Sequence, residues 1–467
     1  MRAILFATIY LSALSFIDFT NDTRIVIIGA GAAGIAAASR LYKNGFTNIK
    51  ILEASNRIGG RIHSVQLGEH FIDLGAEWCH GENLVYEMVK NLQMLTDDAS
   101  SSLVYHSRLK RMDVEFLPKL YKIYDFGFKG NHSKDKNLAW ESKEELALVE
   151  ECLDLLQRHV ETVFAVFSWL KLAHKSDLKP TEGNNYLGWN GLGYKTILEI
   201  LMGDAPVQDS IFLNKRVGRI YLTPRKARVK CTDGSSHIAD HVIWTPSLGV
   251  LKRHYSTLFR PKLSKRKIRS IQSLGYDAIA KIFLHFPHKW WNADFGGAEF
   301  VWNKEDLQNS AHEFPEGPKL GNLSWTTRIL SIFPNQKNPN VLSAWYSGEL
   351  VPEIEKLTDD TIIDGLMHIL PQFLADEYPN ITRPDRILRK SWYADPHFYG
   401  TYSFESVESQ KLGESQAAVL SEPIVTKTGK SILLFAGEAT SQFYFSTVHG
   451  AIETGFREAD RIINLYK

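Results

Sequence analysis

Residues 24–61 read RIVIIGAGAAGIAAASRLYKNGFTNIKILEASNRIGGR, and no other stretch constrains the fold as tightly. Residues 24–28 are a short apolar, β-branched run, the pattern of a strand buried on both faces. The run breaks into Gly29-Ala-Gly31-Ala-Ala33-Gly34. In such a turn the first glycine permits the tight reversal, the second lets the backbone approach a pyrophosphate, and the third lets the next helix pack on the strand. The phosphates then sit at a helix N-terminus, where unpaired N–H groups and the helix dipole favour negative charge. Residues 33–44 are Ala-rich and end at Gly45, which predicts that helix. Residues 48–52 form a second apolar run closing on Glu53, about twenty residues beyond the glycines, where a carboxylate accepts ribose hydroxyls. A glycine motif alone would be a mere turn. Strand, turn, helix, strand and acid together predict a dinucleotide-binding α/β unit.

The chain has 467 residues, 44% hydrophobic and 23% charged, enough for two domains with their own cores. A net charge of +1 and the absence of a Lys/Arg block interleaved with aromatics argue against a nucleic-acid partner. Cys79, Cys152 and Cys231 form no CxxC pair, so neither a zinc site nor a disulfide framework is expected, and no metal is. Residues 1–20 hold one arginine, an apolar run over 3–17 and small residues at Ser12, Ala13 and Ser15. They resemble a secretory signal peptide and are short for a membrane span; the other reading is an extra apolar strand or helix docked on the nucleotide domain. Sequons at Asn21, Asn131, Asn322 and Asn380 fit a secreted protein.

Pattern divides the rest. Residues 143–174 carry Leu146, Val149, Leu153, Leu156, Val160, Val163 and Phe167 at helical spacing and predict a surface or lid helix pair. Strand character returns over 217–221, 227–231 and 241–245, a new apolar run opens at 278–286, a helix is expected over 358–370, and a strand from 432 precedes a final helix over 450–465. The fold class is α/β: a Rossmann-like nucleotide domain from 24–84, 190–275 and 425–467, discontinuous with an α+β substrate domain from 85–189 and 276–424.

Five separated motifs then resemble the polyamine oxidase branch of the flavin-containing amine oxidase family. Arg57-Ile-Gly-Gly60-Arg61, directly after the ribose acid, is similar to the family's extension along the flavin diphosphate. Gly75-Ala76-Glu77-Trp78-Cys79-His80-Gly81 is similar to GAxWxHG, which places Ala76, Glu77 and Trp78 by the cofactor and turns His80 toward the substrate nitrogen. Cys79 stands where an aliphatic residue is usual. Ala280-Lys281-Ile-Phe-Leu is similar to NKIFL. An ammonium in an apolar strand is costly without a partner, and the resemblance gives Lys281 a water bridging to flavin N5. Trp392 and Tyr402 match aromatics that flank the substrate, and Thr401 stands where related monoamine oxidases carry the cysteine bonded to the flavin, so FAD is expected to be non-covalent. Phe435-Ala-Gly437-Glu438-Ala-Thr and Tyr444-Phe-Ser446-Thr447-Val448-His-Gly resemble FAGEAT and YYSTTHG.

The resemblance implies cofactor contacts from Gly29, Gly31, Ala33, Gly34, Glu53, Gly60, Arg61, Val217 (adenine), Gly437, Glu438 (ribityl–pyrophosphate side), Thr447 and Val448. It implies substrate contacts from His80, Tyr402, Ser446 and Thr447, with Lys281, His80, Tyr402 and Trp392 at the chemistry. The activity it implies is oxidation of a small polyamine, spermine or an N1-acetylated one, by hydride transfer to N5 with oxygen as acceptor. Two other readings stand beside it. A secreted L-amino-acid oxidase would need an arginine clamp, and a catalytically silent flavin-binding relative would fit Cys79 and Val448.

Overall fold

The run predicted as a buried strand is the centre of a six-stranded sheet in the computed structural model, which describes residues 22–99, 102–112 and 143–467. The leader and the sequons Asn21 and Asn131 lie outside the described residues. From one edge the sheet runs Ile424–Val425, Ser431–Phe435, His241–Trp244, Ile25–Ile28, Ile49–Leu52, Ile211–Phe212. All pairs are parallel except at the Ile424–Val425 edge. The four residues of Ile25–Ile28 are all buried, as a run flanked by helices on both faces requires.

The first helix is Ala32–Tyr42, and the final helix, Val448–Tyr466, crosses it. Two glycines set the packing of the first helix, Gly34 against the strand turn and Gly455 against the final helix. A Cβ on Gly34 would lie 2.0 Å from the Gly29 oxygen, and one on Gly455 would lie 2.3 Å from the Ala33 oxygen. Strands Ser236–Ala239, Ala227–Cys231, Val217–Leu222 and Phe259–Arg260 make a second, four-stranded sheet beside this body.

The other large sheet has seven strands in the order Arg386–Arg389, Ala280–His285, Val341–Tyr346, Ile329–Pro334, Ala298–Val301, Leu103–His106, Lys110–Arg111. Side chains alternate between its faces with period two. One set, including Ile282, Ala344, Ile332 and Phe300, is buried in one core with Ile362, Leu366, Ile369 and Phe373 of the helix Asp359–Leu374. The opposite set forms one wall of the cavity described below.

Three expectations change. Residues 143–174 form one helix, Lys143–Val163, and not a pair: Ala165 takes φ 48°, and only a short 3₁₀ turn at Trp169–Lys171 follows. The buried face also differs from the apolar stripe. Leu153 and Val163 are exposed, while Arg158 and Glu161 are buried. Arg158 donates to the Ile329 and Phe300 oxygens, both at 2.6 Å, and Glu161 accepts from Arg328 at 2.5 Å. The helix is therefore pinned to the sheet by donors and acceptors, beside the irregularity between Ile329 and Ser331.

The third change concerns residues 406–424, expected with the substrate domain. They pack on the nucleotide body instead. Lys267 donates to the oxygens of Val419, Leu420 and Glu422, Ser270 to that of Gln416, and Leu420 shares a core with Val26, Trp244 and Phe435. No described helix is long and apolar enough to cross a membrane.

Candidate active site

One continuous cavity of about 1200 Å³ runs from the glycine turn of the six-stranded sheet to the free face of the seven-stranded sheet. That is larger than the roughly 300–1,000 Å³ typical of a site for one small molecule, and it leaves room for a dinucleotide and a second compound.

At the nucleotide side the local sequence builds a cradle. Gly29 takes φ 101°, and a Cβ there would lie 2.5 Å from Thr245 Oγ1. Gly31 caps the first helix and bridges to Gly59, while a Cβ on Gly60 would come within 3.4 Å of the Gly31 Cα. These bare backbones leave the N-terminus of the Ala32–Tyr42 helix, with Ala33 in its first turn, open to the cavity. Glu53 is buried, accepts from Ala30 N and Ser55 N at 2.8 Å each, and lines the cavity close to Val217.

Arg61 and Glu438 join two distant motifs. Arg61 Nη1 lies 2.8 Å from Glu438 Oε1 and 2.7 Å from the Thr401 oxygen. The other Glu438 oxygen accepts from Ser403 Oγ at 2.6 Å and Ser446 N at 2.9 Å. Both oxygens are thus committed within the protein. Glu438 orients Arg61 and the 403 and 446 loops, whereas a carboxylate turned to a diphosphate would be repelled. Gly437 takes φ 108°, donates its N–H to Thr454 Oγ1 at 2.9 Å and lines the same wall. Thr447 is the N-cap of the final helix; its hydroxyl accepts from Gly450 N and donates to the Tyr444 oxygen, so at Thr447 and Val448 the backbone, not the side chain, is presented. Ser446 sits at φ 66° and its hydroxyl proton goes to the Ser403 oxygen, which leaves a substrate only its lone pairs.

Between the two ends stand the groups expected to do chemistry. Gly75 is forced: a Cβ would lie 1.8 Å from the Arg61 oxygen and 3.2 Å from the Trp392 ring. Ala76 N bonds the same Arg61 oxygen at 3.1 Å. Trp392 is buried and donates Nε1 to the Leu74 oxygen at 3.0 Å. Tyr402 lines the cavity with its hydroxyl 3.2 Å from the Thr162 oxygen and 3.3 Å from that of Val163. Burial raises the Tyr402 pKa, so the phenol stays protonated.

His80 Nδ1 lies 2.7 Å from the Asn185 oxygen. A carbonyl only accepts, so Nδ1 carries the hydrogen and Nε2 keeps its lone pair when the ring is neutral. Desolvation lowers the His80 pKa, which favours that neutral form. Cys79, by contrast, points into the core of the nucleotide body with its thiol pushed up to about 11 by burial, and it is absent from the cavity lining.

Lys281 Nζ makes three contacts: the Asp73 oxygen at 2.8 Å, the Gly75 oxygen at 2.7 Å and Glu77 Oε2 at 2.8 Å. An ammonium has three donors, and all are directed at protein acceptors here. In this arrangement Lys281 holds the loop leading to His80, and a water could be held only by exchanging one of those bonds.

Of the far wall the sequence reading singled out only Trp78, and that as a cofactor contact; the structure instead stacks it on Trp345 of the seven-stranded sheet. Trp78 stacks on Trp345 at 5.6 Å and 10°, Phe333 lies 5.9 Å from Trp345, and Tyr186 meets Trp78 edge-on at 5.5 Å. Asp98 and Glu299 complete it. Glu299 lies in the strand AEFV, so its signal was the one that flagged Lys281: a charge inside an apolar run.

The cradle fits a flavin dinucleotide by its open backbone, its helix N-terminus and its ribose acid. No cysteine of the described residues lines the cavity, and Thr401 occupies the position of a thioether link.

Comparison with known proteins agrees. The chain is 28% identical to a probable polyamine oxidase 5 of Arabidopsis thaliana, over 96% of this chain and 99% of that one. It is 26% identical to the peroxisomal N(1)-acetyl-spermine/spermidine oxidase of Bos taurus, over 95% of each. A solved redesigned putrescine oxidase superposes with a TM-score of 0.66 over 94% of this chain and 99% of that one, at 15% identity, which speaks to fold. The family model for flavin containing amine oxidoreductases matches residues 32–463; the chain belongs to that family, and its cofactor is non-covalently bound FAD.

Proposed function

We propose that this enzyme oxidises a polyamine, spermine or an N1-acetylated relative, to an aldehyde, a shorter amine and hydrogen peroxide. The observation that carries the reading is the charge of the substrate chamber. Its lining adds Asp98 and Glu299 to the mutually neutralised Lys281–Glu77 pair among aromatic walls, while the arginines of the lining are Arg61, held by Glu438, and Arg216, beside Val217 at the nucleotide end. Such a chamber suits a long cation and, among the described residues, offers no arginine clamp for an amino-acid carboxylate. The names of the polyamine oxidase relatives point the same way.

Bound flavin supplies a hydride acceptor that oxygen regenerates. The chain supplies position and protonation. Trp392 and Tyr402 wall the reacting carbon and exclude water. His80 Nε2, neutral and without a hydrogen-bond partner among the described residues, accepts a hydrogen bond from the reacting nitrogen and helps it shed its proton. The Lys281–Glu77 pair keeps that loop in register with the sheet. The N-terminus of the final helix, capped by Thr447, would favour negative charge on a flavin held beside it.

A peroxide-release screen over spermine, spermidine, their acetylated forms and L-amino acids tests the proposal. Turnover confined to L-amino acids, or to nothing, would overturn it. A secretory route belongs to the same proposal and has support from Asn322 and Asn380, both exposed.

A further inference from the structure

Four residues of the seven-stranded sheet lie in one row across its strands. Lys281 pairs with Trp345, Trp345 with Ser331, and Ser331 with Glu299. Directly opposed residues share a face, so all four project to the same side, and all four line the cavity. Three interstrand steps of about 4.8 Å put the Glu299 backbone about 14 Å from that of Lys281. The row thus spans the chamber from the chemistry at one end to a carboxylate at the other.

Glu299 has no hydrogen bond or ion pair among the described residues. The nearest cation, Arg158, spends its N–H groups on Asp154 and on the oxygens of Ile329 and Phe300. An acid inside a sheet without a partner is destabilising unless a ligand supplies one. Burial holds its carboxyl up at about 6, against the pull of Arg158, as expected for a carboxylate awaiting a counter-charge. Between the two ends the row offers Trp345, stacked on Trp78, whose faces suit a methylene chain or a passing ammonium.

We propose that Glu299 is the subsite for the distal terminal ammonium of the substrate, so that the enzyme selects amines whose far end is a free primary ammonium over those whose far end is acylated. The inference rests on the amine-oxidase reading above and narrows it to substrates with an unacylated far end. Glu299 is a specificity residue, remote from the reacting carbon.

The test uses the FAD-loaded enzyme and its Glu299→Gln variant, with spermine and N1,N12-diacetylspermine as matched substrates. Wild type is expected to prefer spermine. In the variant, kcat/KM for spermine falls about 10- to 100-fold, through KM, as for loss of one charge-assisted contact. The value for the diacetyl compound stays put. Glu299→Asp, which retains the charge, keeps most of the preference and serves if the Gln variant folds poorly. Equal losses on both substrates, or none, would overturn the assignment. A separate readout is titration of the flavin absorbance with a non-oxidisable α,ω-bisguanidine. If no amine is turned over yet Glu299→Gln weakens this ligand tenfold or more, the oxidase reading fails and the cation subsite stands; unchanged affinity removes the subsite.

Discussion

The ammonium of Lys281 lies 2.8 Å from Glu77 Oε2, with side-chain exposures of 6% and 14%, and that pair ties the substrate sheet to the loop that carries His80. Lys281→Met keeps the apolar stem and removes the charge. It leaves Glu77 and two backbone oxygens without their donor, a loss on the order of 3–5 kcal/mol for a broken buried pair. Denaturant unfolding of the FAD-loaded variant should show that loss, and stopped-flow should show both half-reactions slowed together. Slowed flavin reoxidation at unchanged stability would instead return Lys281 to the role of water holder.

His80 presents its Nε2 because its Nδ1 hydrogen is committed to Asn185, and desolvation favours the neutral ring against the pull of that bond. The reacting nitrogen must shed its proton before hydride leaves the neighbouring carbon, so kcat/KM should rise through mildly alkaline pH. His80→Ala should lower kcat/KM on the order of 10²-fold, within the range for a positioned acid–base group. Wild-type kinetics on every amine would make His80 an ordinary cavity residue.

What the sequence displayed well was whatever has a local signature. The run into Gly29 and Gly31, the acid at Glu53 and the cap at Thr447 each follow from a backbone need that a few adjacent residues announce. Partners distant in sequence were hidden. Glu438 carries no mark of its pairing with Arg61, 377 residues away, and so reads as a cofactor contact. Lys281 announced a buried charge, but its partners Asp73, Gly75 and Glu77 come from another strand and loop. The stripe over 143–163 was incomplete for a related reason: Val149, Leu156 and Val160 are buried as expected, but apolarity missed Arg158 and Glu161, which are buried by bonding to segments more than 100 residues away. Glu299 was legible in principle, by the alternation of its strand, and needed only the argument applied to Lys281.

Gly455 sits in the middle of the final helix where alanine would ordinarily stabilise. Its missing Cβ admits the first helix, since that carbon would lie 2.3 Å from the Ala33 oxygen. Gly455→Ala should therefore destabilise, by about 1–3 kcal/mol as for an overpacked contact. Because Ala33 opens onto the dinucleotide cradle, the variant should also bind FAD more weakly, read by flavin fluorescence released on dilution. A variant as stable as wild type with full FAD would show that the helices can part without cost.

His241 is fully buried between the nucleotide sheet and the C-terminus, with Nδ1 2.5 Å from the Ser431 oxygen and Nε2 2.8 Å from the Tyr466 hydroxyl. Desolvation is the main cause that holds its pKa down at about 4, from 6.5, with Lys430 adding to it and the bond to Ser431 and then Asp240 opposing. The folded state therefore favours the neutral ring. That preference contributes in full above pH 6.5, where the unfolded chain is neutral too. It is lost as pH falls through 6.5 toward 4, because the unfolded chain then takes up a proton that the folded chain refuses. A depression from 6.5 to about 4 corresponds to about 3 kcal/mol over that window. His241→Gln removes the titration while keeping a donor for Ser431. Its stability, measured by denaturant unfolding at fixed FAD, should be lower than wild type at pH 7.5 and should fall less steeply between pH 6.5 and 4. Parallel slopes for the two proteins would mean that His241 is protonated in the native state without penalty, and that the acid limb of stability is set by other groups.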